Sequence, residues 1–390
     1  MKRTLFYFAP VATDRLNELH KQDLHIGPAD NKVFSVCRAL RANGCDAVVV
    51  SALLNRRSGM PAAQALRAER VPFVRINSFG RGLAKRFVSS ISFLIFCIRK
   101  VKGADRVLFY NFFPEYILAA LYLKIVGNPG IIDVEDGPRA DERGPRGAMV
   151  RSSYKIMHRL TARKYITVSS RLSRSLGLDR FRAIYGVANS KRTVNLNFSP
   201  FSSDRINVLY GGAILPDTGL DLFVECVDHI LECYPDAPIT FNISGNYDYD
   251  LMSALAQKVE KKAGKVAMIC HRGLSLSDYK KMLESMDAGL CLKLASREMG
   301  QTTFPSKVVE YSSLGILVIS TCVSDVPDIF DDSSAIMLPH ENPTSLAEAL
   351  VSMANDRTGS RERARSGQVV AENRFSAKAV STSIEELVFG

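Results

Sequence analysis

Through the first half of this 390-residue chain, short runs of β-branched and aromatic residues alternate with longer stretches of helical period. The runs at residues 5–8, 47–51, 73–76, 106–110, 130–134 and 165–169 have the length and composition of strands. Between the first two, over residues 31–43, Val33, Val36, Cys37 and Leu40 recur at i, i+3, i+4 and i+7, which places them on one helix face. Gly44 stops that helix. A polar, helix-poor stretch follows at 189–204, after which the pattern starts again. Strands are predicted at 206–210, 239–244, 266–270, 288–292 and 316–320, with helices at 220–234, 250–263 and 277–286.

Strands that alternate with helices pair in parallel, with helices covering both faces of the sheet. The expectation is therefore an α/β chain of two doubly wound, Rossmann-like units of about 190 residues each. The N-terminal domain is set at 1–195 and the C-terminal domain at 205–375, with residues 376–390 as a final helix packing back toward the N-terminal domain. Sheets of this kind bind ligands at the carboxyl ends of their strands, so two of them facing each other would form an interdomain cleft.

Composition narrows the class. Hydrophobic residues make up 46% and charged residues 23%, which excludes a disordered chain, a collagen-like repeat or a disulfide miniprotein. The net charge of +11 conceals a division: residues 1–200 hold 34 Lys and Arg against 14 Asp and Glu, and residues 201–390 hold 17 against 26. A basic half is joined to an acidic one. The eight cysteines, at 37, 45, 97, 226, 233, 270, 291 and 322, lie mostly in apolar runs and never in a CxxC spacing. They read as buried and reduced in a cytoplasmic protein, with no metal site. The opening Met1-Lys2-Arg3 and the apolar run at 5–12, interrupted by Pro10, read as a first buried strand rather than a signal peptide. The apolar stretches at 87–98 and 116–126 fall short of the ~20 residues a spanning helix needs.

The most informative segment runs from Phe304 to Ser320. Pro305 preorganises a helix start whose first-turn N–H groups, with Ser306, can receive a phosphate, and Lys307 adds charge there. Glu310, one turn on, is placed to accept hydrogen bonds from ribose hydroxyls, and Gly315 ends the helix before a buried strand. Lys307 and Glu310 also read as an ordinary i, i+3 surface pair. The wording of the segment resembles the nucleotide-sugar segment of GT-B glycosyltransferases, particularly family 4, the retaining group. Further stretches are similar to that family in the same order. They are the turn with Gly211 and Gly212 after a strand, the strand ending in Ser244-Gly245-Asn246, and His271-Arg272-Gly273 where the family seats the base.

The chain departs from the family in two places. Where members carry an Arg after the first glycine turn and a Lys before the second, this sequence has Ala213, Ile214 and Thr218, and the first of the family's paired glutamates falls on Thr302. Lys293, Arg297 and Lys307 are the nearest cations in sequence to hold a diphosphate in their place.

In the basic half, Gly27 with Lys32 resembles the glycine loop that closes on the sugar phosphate, while Asp30 or Asn31 reads equally as a helix cap. Asp133, Glu135 and Asp136 crowd the cleft end of a strand, where carboxylates can hold sugar hydroxyls or an acceptor, or act as a general base; a cap for the next loop is the plainer reading. Arg139, Arg143 and Arg146 follow in a Gly/Pro-rich cationic loop. Basic residues flank apolar stretches at 83–102 and 151–164, a composition suited to anionic lipid or to a solvated face. Nucleic acid is the rival polyanion, but no motif for it is present.

The resemblance implies a retaining hexosyltransferase with a nucleotide-sugar donor such as a UDP- or GDP-hexose, no cofactor and no metal. It would act on a saccharide or lipid-linked acceptor in cell-surface polysaccharide assembly such as lipopolysaccharide or capsule. Its place would be the cytoplasm, with peripheral contact to the inner face of the membrane. A sugar-nucleotide epimerase of the same fold and a catalytically silent subunit that binds a partner transferase stay open beside it.

Overall fold

A computed structural model describes residues 3–11, 28–52, 65–68, 71–76, 78, 82–135, 137, 144–188, 200–296 and 298–390. The chain divides into two compact units, Met1–Val187 together with Ala377–Gly390, and Ala188–Ser376.

The first unit is built as β1 (Thr4–Phe8), α1 (Pro28–Ala42), β2 (Asp46–Ser51), β3 (Ala65–Ala68), β4 (Val71–Arg75), α2 (Gly82–Lys100), β5 (Arg106–Tyr110), α3 (Ile117–Ile125), β6 (Ile131–Val134), α4 (Gly144–Leu160), β7 (Tyr165–Thr167), α5 (Ser170–Ser175) and β8 (Phe181–Ala183). Its sheet has the order β3-β4-β2-β1-β5-β6-β7-β8, parallel throughout except for β3 against β4. Every residue of β6 and β7 is buried, Asp133 included, because helices cover both faces. On one face Leu5, Tyr7 and Val49 pack against Val33, Cys37 and Leu40 of α1. On the other, Phe8 and Phe109 pack against Phe93 of α2, Tyr116, Leu123 of α3 and Met157 of α4.

The second unit runs β9 (Ile206–Ala213), α6 (Leu220–Cys233), β10 (Ile239–Asn246), α7 (Tyr249–Lys261), β11 (Ala267–His271), α8 (Leu276–Leu283), β12 (Ala288–Cys291), α9 (Glu298–Thr302), α10 (Ser306–Ser313), β13 (Leu317–Thr321), α11 (Val326–Ile329), β14 (Ile336–Leu338), α12 (Pro343–Asn355) and α13 (Arg357–Phe375). Its six strands are all parallel in the order β11-β10-β9-β12-β13-β14. The last helix, α14 (Ala377–Phe389), returns to the first unit, where Val380 and Ile384 join the core beneath α1.

Two parallel α/β sheets are what the alternation of runs predicts. Three strands escaped it: β3, β8 and β14 are short and lie at sheet edges, and in β8 and β14 few residues are buried, so the hydrophobic pattern fades. The first helix begins at Pro28, so Asp30 and Asn31 sit in its first turn and are not its cap. Four cysteines, Cys37, Cys97, Cys226 and Cys291, are buried as expected, whereas Cys233 and Cys322 are exposed. Among the described residues no helix is long and apolar enough to cross a membrane.

Candidate active site

In the second unit the chain leaves β9 for β10 and β11 on one side, then comes back to add β12, β13 and β14 on the other. Strand order thus reverses between β9 and β12, where open α/β sheets leave a crevice at the carboxyl ends of their strands. β9 ends in Gly211-Gly212-Ala213 and β10 in Ser244-Gly245-Asn246, paired in register. A Cβ on Gly245, whose φ is 125°, would stand 2.1 Å from the carbonyl oxygen of Gly212. Only glycine lets the two strand ends approach this closely.

Helix α10 enters the same space. Pro305 caps its start in extended conformation, and Gly315, with φ 67°, ends it. Ile316 N–H bonds back to Tyr311 and Gly315 N–H to Ser312, the double bond pattern of a Schellman stop. Lys307 lies against the glycine turn: its Cε would be 3.3 Å from a Cβ on Gly212. Its ammonium donates to Glu310 Oε2 at 2.5 Å and to the Tyr279 hydroxyl at 2.8 Å, and that hydroxyl donates to Glu310 Oε2 at 3.1 Å. The i, i+3 pair visible in the sequence therefore forms, but as part of a triad completed by a tyrosine from α8.

Burial works against the Lys307 charge, yet Glu310 and Tyr279 outweigh it and hold the ammonium above its ordinary pKa. Burial and Glu310 push the Tyr279 phenol up to about 12, so it keeps its proton and remains a donor. Among the described residues both protein hydrogen bonds to the Glu310 carboxylate fall on Oε2, which leaves Oε1 able to accept from a hydroxyl. The arrangement can present a fixed cation, backbone N–H groups of a glycine turn and a helix start, and a carboxylate acceptor side by side.

The walls of this region are less charged. Tyr311 is wedged beneath the turn, with its buried hydroxyl 3.0 Å from where a Cβ on Gly211 would be and without a partner among the described residues. Ser244 is buried at the end of β10. His271 ends β11; burial keeps its imidazole neutral, and Nε2 sits 2.9 Å from Asn242 Oδ1, which fixes Nε2–H as donor. The exposed Arg272 lies over the Tyr249 ring, 4.4 Å from its centroid, two strands away from Gly212. Lys293 follows β12, and its carbonyl accepts from the Thr321 hydroxyl. Arg297 lies outside the described residues.

The first unit reverses its strand order between β1 and β5, and polar residues gather at that point too. Lys32, from α1, donates to Asp133 Oδ1 at 2.9 Å and to Glu135 Oε2 at 2.5 Å. The Tyr7 hydroxyl, from β1, donates to Asp133 Oδ2. Asn111, after β5 with φ 55°, donates its N–H to the Asp133 carbonyl at 2.7 Å and accepts from Glu135 N–H at 2.8 Å. Burial lowers the Lys32 pKa, but the two carboxylates more than offset this and raise it. Burial, then Asp133, holds the Tyr7 phenol well above its ordinary value. The Asp133 side chain is 1% exposed and fully engaged, whereas that of Glu135 is 26% exposed. Lys32, which the sequence offers as a phosphate ligand of a glycine loop, is neutralised by these carboxylates. Gly27, Asp136 and Arg139 lie outside the described residues.

A family profile described as glycosyl transferases group 1 matches residues 205–356, a span that contains the two glycine turns, Tyr279, Lys307 and Glu310. Residues 205–356 are similar to that family. The whole chain also superposes on solved structures. Anabaena Alr3699/HepE in complex with UDP shares 14% identity over 98% of both chains, with a TM-score of 0.67. A glycosyltransferase from Rickettsia africae ESF-5 shares 13% over 99% of this chain and 97% of that one, with a TM-score of 0.69. Sucrose-phosphate synthase from Thermosynechococcus elongatus shares 13% over 99% and 98%, with a TM-score of 0.65. At such identities the likeness shows the fold, which is GT-B. A search of curated proteins by sequence finds no significant match.

Within the matched residues, the structure brings together Gly211, Gly212, Ser244, Gly245, Ser306, Lys307 and Glu310 from three segments far apart in sequence. It sets Arg272 apart on the β11 side. The turn after β9, which carries no cation, is internally closed: Thr218 Oγ1 donates to the Ala213 carbonyl at 2.7 Å and accepts from Leu215 N–H at 2.8 Å. Tyr279 went unnoticed in the sequence, as did Tyr7 and Asn111 in the first unit. Asn111 carried the one usable signal, an Asn directly after a strand, where left-handed backbone is tolerated.

Proposed function

We propose that this GT-B glycosyltransferase moves a hexose, with retention of anomeric configuration, from a nucleotide-diphosphate sugar to a lipid-linked or membrane-proximal saccharide. The product would serve bacterial cell-surface polysaccharide such as lipopolysaccharide or capsule, assembled at the cytoplasmic face of the membrane. The observation that carries this reading is the Lys307–Glu310–Tyr279 triad packed on the Gly212 and Gly245 turns inside the matched domain. In it, Glu310 takes the ribose hydroxyls, Lys307 and the amides around Ser306 and Gly212 take the diphosphate, and Ser244 and Arg272 line the side of the base. Lys293 and Arg297 add charge beside the sugar phosphate. Glu135 and Asp136 stand next to the acceptor hydroxyl, with Asp133 and Lys32 holding Glu135 in place. The donor is a substrate, and the reading involves no resident cofactor.

Anabaena Alr3699/HepE was crystallised with UDP and with UDP-glucose, which makes uridine donors the first to try. The test is a screen of purified protein against UDP-, GDP- and ADP-hexoses, following nucleotide diphosphate release with and without saccharide acceptors. One donor is expected to be consumed, faster with acceptor, and the first-formed glycoside should keep the donor's anomeric configuration by NMR. Conversion of a donor into its epimer with no acceptor present would instead establish the epimerase. The absence of a cation at Ala213 and Thr218 favours one further reading, a subunit that binds nucleotide and leaves chemistry to a partner. Binding without turnover of any donor would mark it.

A further inference from the structure

The helices α2, α3 and α4 lie side by side on one face of the first sheet, joined below by Phe93, Cys97, Leu123 and Met157. Helix α2 is apolar on two sides. Its inner stripe, Ser89, Phe93 and Cys97, is buried in the sheet, while Leu83, Phe87, Ile95 and Ile98 run along its outer side at helical spacing. Leu83 is 80% exposed and Phe87 64%, and on the neighbouring α3 Ile125 is 74% exposed. Of the thirteen exposed large hydrophobic residues among those described, eight belong to these three helices or to Val126, which directly follows α3. A helix layer that is apolar outward as well as inward lacks a covering partner among the described residues.

Its charge indicates what that partner is. The three helices together hold nine Lys or Arg and not one Asp or Glu. Of the acids described nearby, Asp105 is buried, and Glu115 is buried with Arg86 Nη1 at 3.1 Å. Arg99, Lys100, Lys155 and Arg159 are exposed around the apolar residues. Lys124 Nζ donates to the Arg159 carbonyl at 2.7 Å, which ties the end of α3 to that of α4. A second copy of the same face would bring cations against cations. Nucleic acid would satisfy the charge and leave the apolar stripe in water.

We propose that this face docks on an anionic lipid bilayer. Phe87, Ile98 and Ile125 enter the headgroup boundary, and the surrounding Arg and Lys pair with lipid phosphates. The proposal deepens the reading of a membrane-proximal acceptor, and rests on that reading for its purpose, by naming the surface that meets the membrane. Its test is separate, because lipid binding is read without donor and donor turnover is read in solution without lipid.

The experiment floats the full chain with vesicles made of equal parts phosphatidylcholine and phosphatidylglycerol. Most of the protein should float at low ionic strength, and little in about 1 M salt, where the Debye length falls to about 3 Å. Pure phosphatidylcholine vesicles should carry about tenfold less. Phe87→Glu with Ile98→Glu, and separately Arg99→Glu with Lys100→Glu, should each cut the floated fraction about tenfold or more, since each basic residue near the headgroups adds roughly fivefold in affinity. All four side chains are exposed, so the melting temperature should not move and a loss of binding is not a loss of fold. The proposal is overturned by no flotation at low salt, by equal binding to neutral vesicles, by variants that float like the wild type, or by a chain that dimerises through this face and ignores lipid.

Discussion

Replacing Lys32 with Met lowers the unfolding free energy of the first unit by about 3 kcal/mol, the lower end of what breaking a buried ion pair costs. Lys32 is the cation facing both Asp133 and Glu135, and the Asp133 side chain is 1% exposed, so its charge loses its compensation without gaining water. Glu135 can turn toward solvent, which keeps the cost from the upper end. At 2–4 °C per kcal/mol for a unit of this size, the melting transition drops by roughly 6–12 °C. A merely solvated lysine would cost under about 0.5 kcal/mol. Adding Asp133→Asn to Lys32→Met should recover part of the loss, because the amide keeps an acceptor for the Tyr7 hydroxyl and removes the stranded charge. Thermal unfolding of the two variants checks both signs; equal losses would show that the Lys32–Asp133 pair contributes nothing.

Replacing Glu310 with Ala weakens nucleotide-sugar binding by about 10- to 100-fold and leaves the fold in place. The affinity figure is the loss of hydrogen bonds from ribose hydroxyls to a charged acceptor, about 1.5–3 kcal/mol. The stability effect is small because the Lys307 and Glu310 side chains are 28% and 34% exposed, and such pairs contribute about 1 kcal/mol or less. Glu310→Gln should fall between, since the amide oxygen still accepts but without charge. Titration calorimetry on the three proteins reads the order. Unchanged affinity in Glu310→Ala would remove this residue from the ribose.

How much of this was legible in the sequence depended on burial. Strands such as Ile131–Val134 are buried at every position, so an apolar run announces them. Phe181–Ala183 lies at a sheet edge with no buried side chain, and nothing in its composition sets it apart. The glycine turns and the helix start at Pro305 were legible because backbone approach and helix geometry demand those residues and leave local marks. Tyr279 left none, for its role comes from α8 being carried beside α10 by the fold. Lys32 was visible, yet its ligand was read as a phosphate, since two carboxylates one hundred residues away could not be seen to converge on it. Tyr7 looked like any inward-facing strand aromatic until Asp133 appeared against its hydroxyl.

The central proposal is that the second unit holds a nucleotide-diphosphate sugar on Lys307, Glu310 and the paired glycine turns. Calorimetric titration of the wild-type chain with UDP-, GDP- and ADP-sugars tests it most directly. The account predicts that one of the three series binds at one site per chain, and that the same donor loses affinity in Glu310→Ala. Heat of binding from none of them would contradict it.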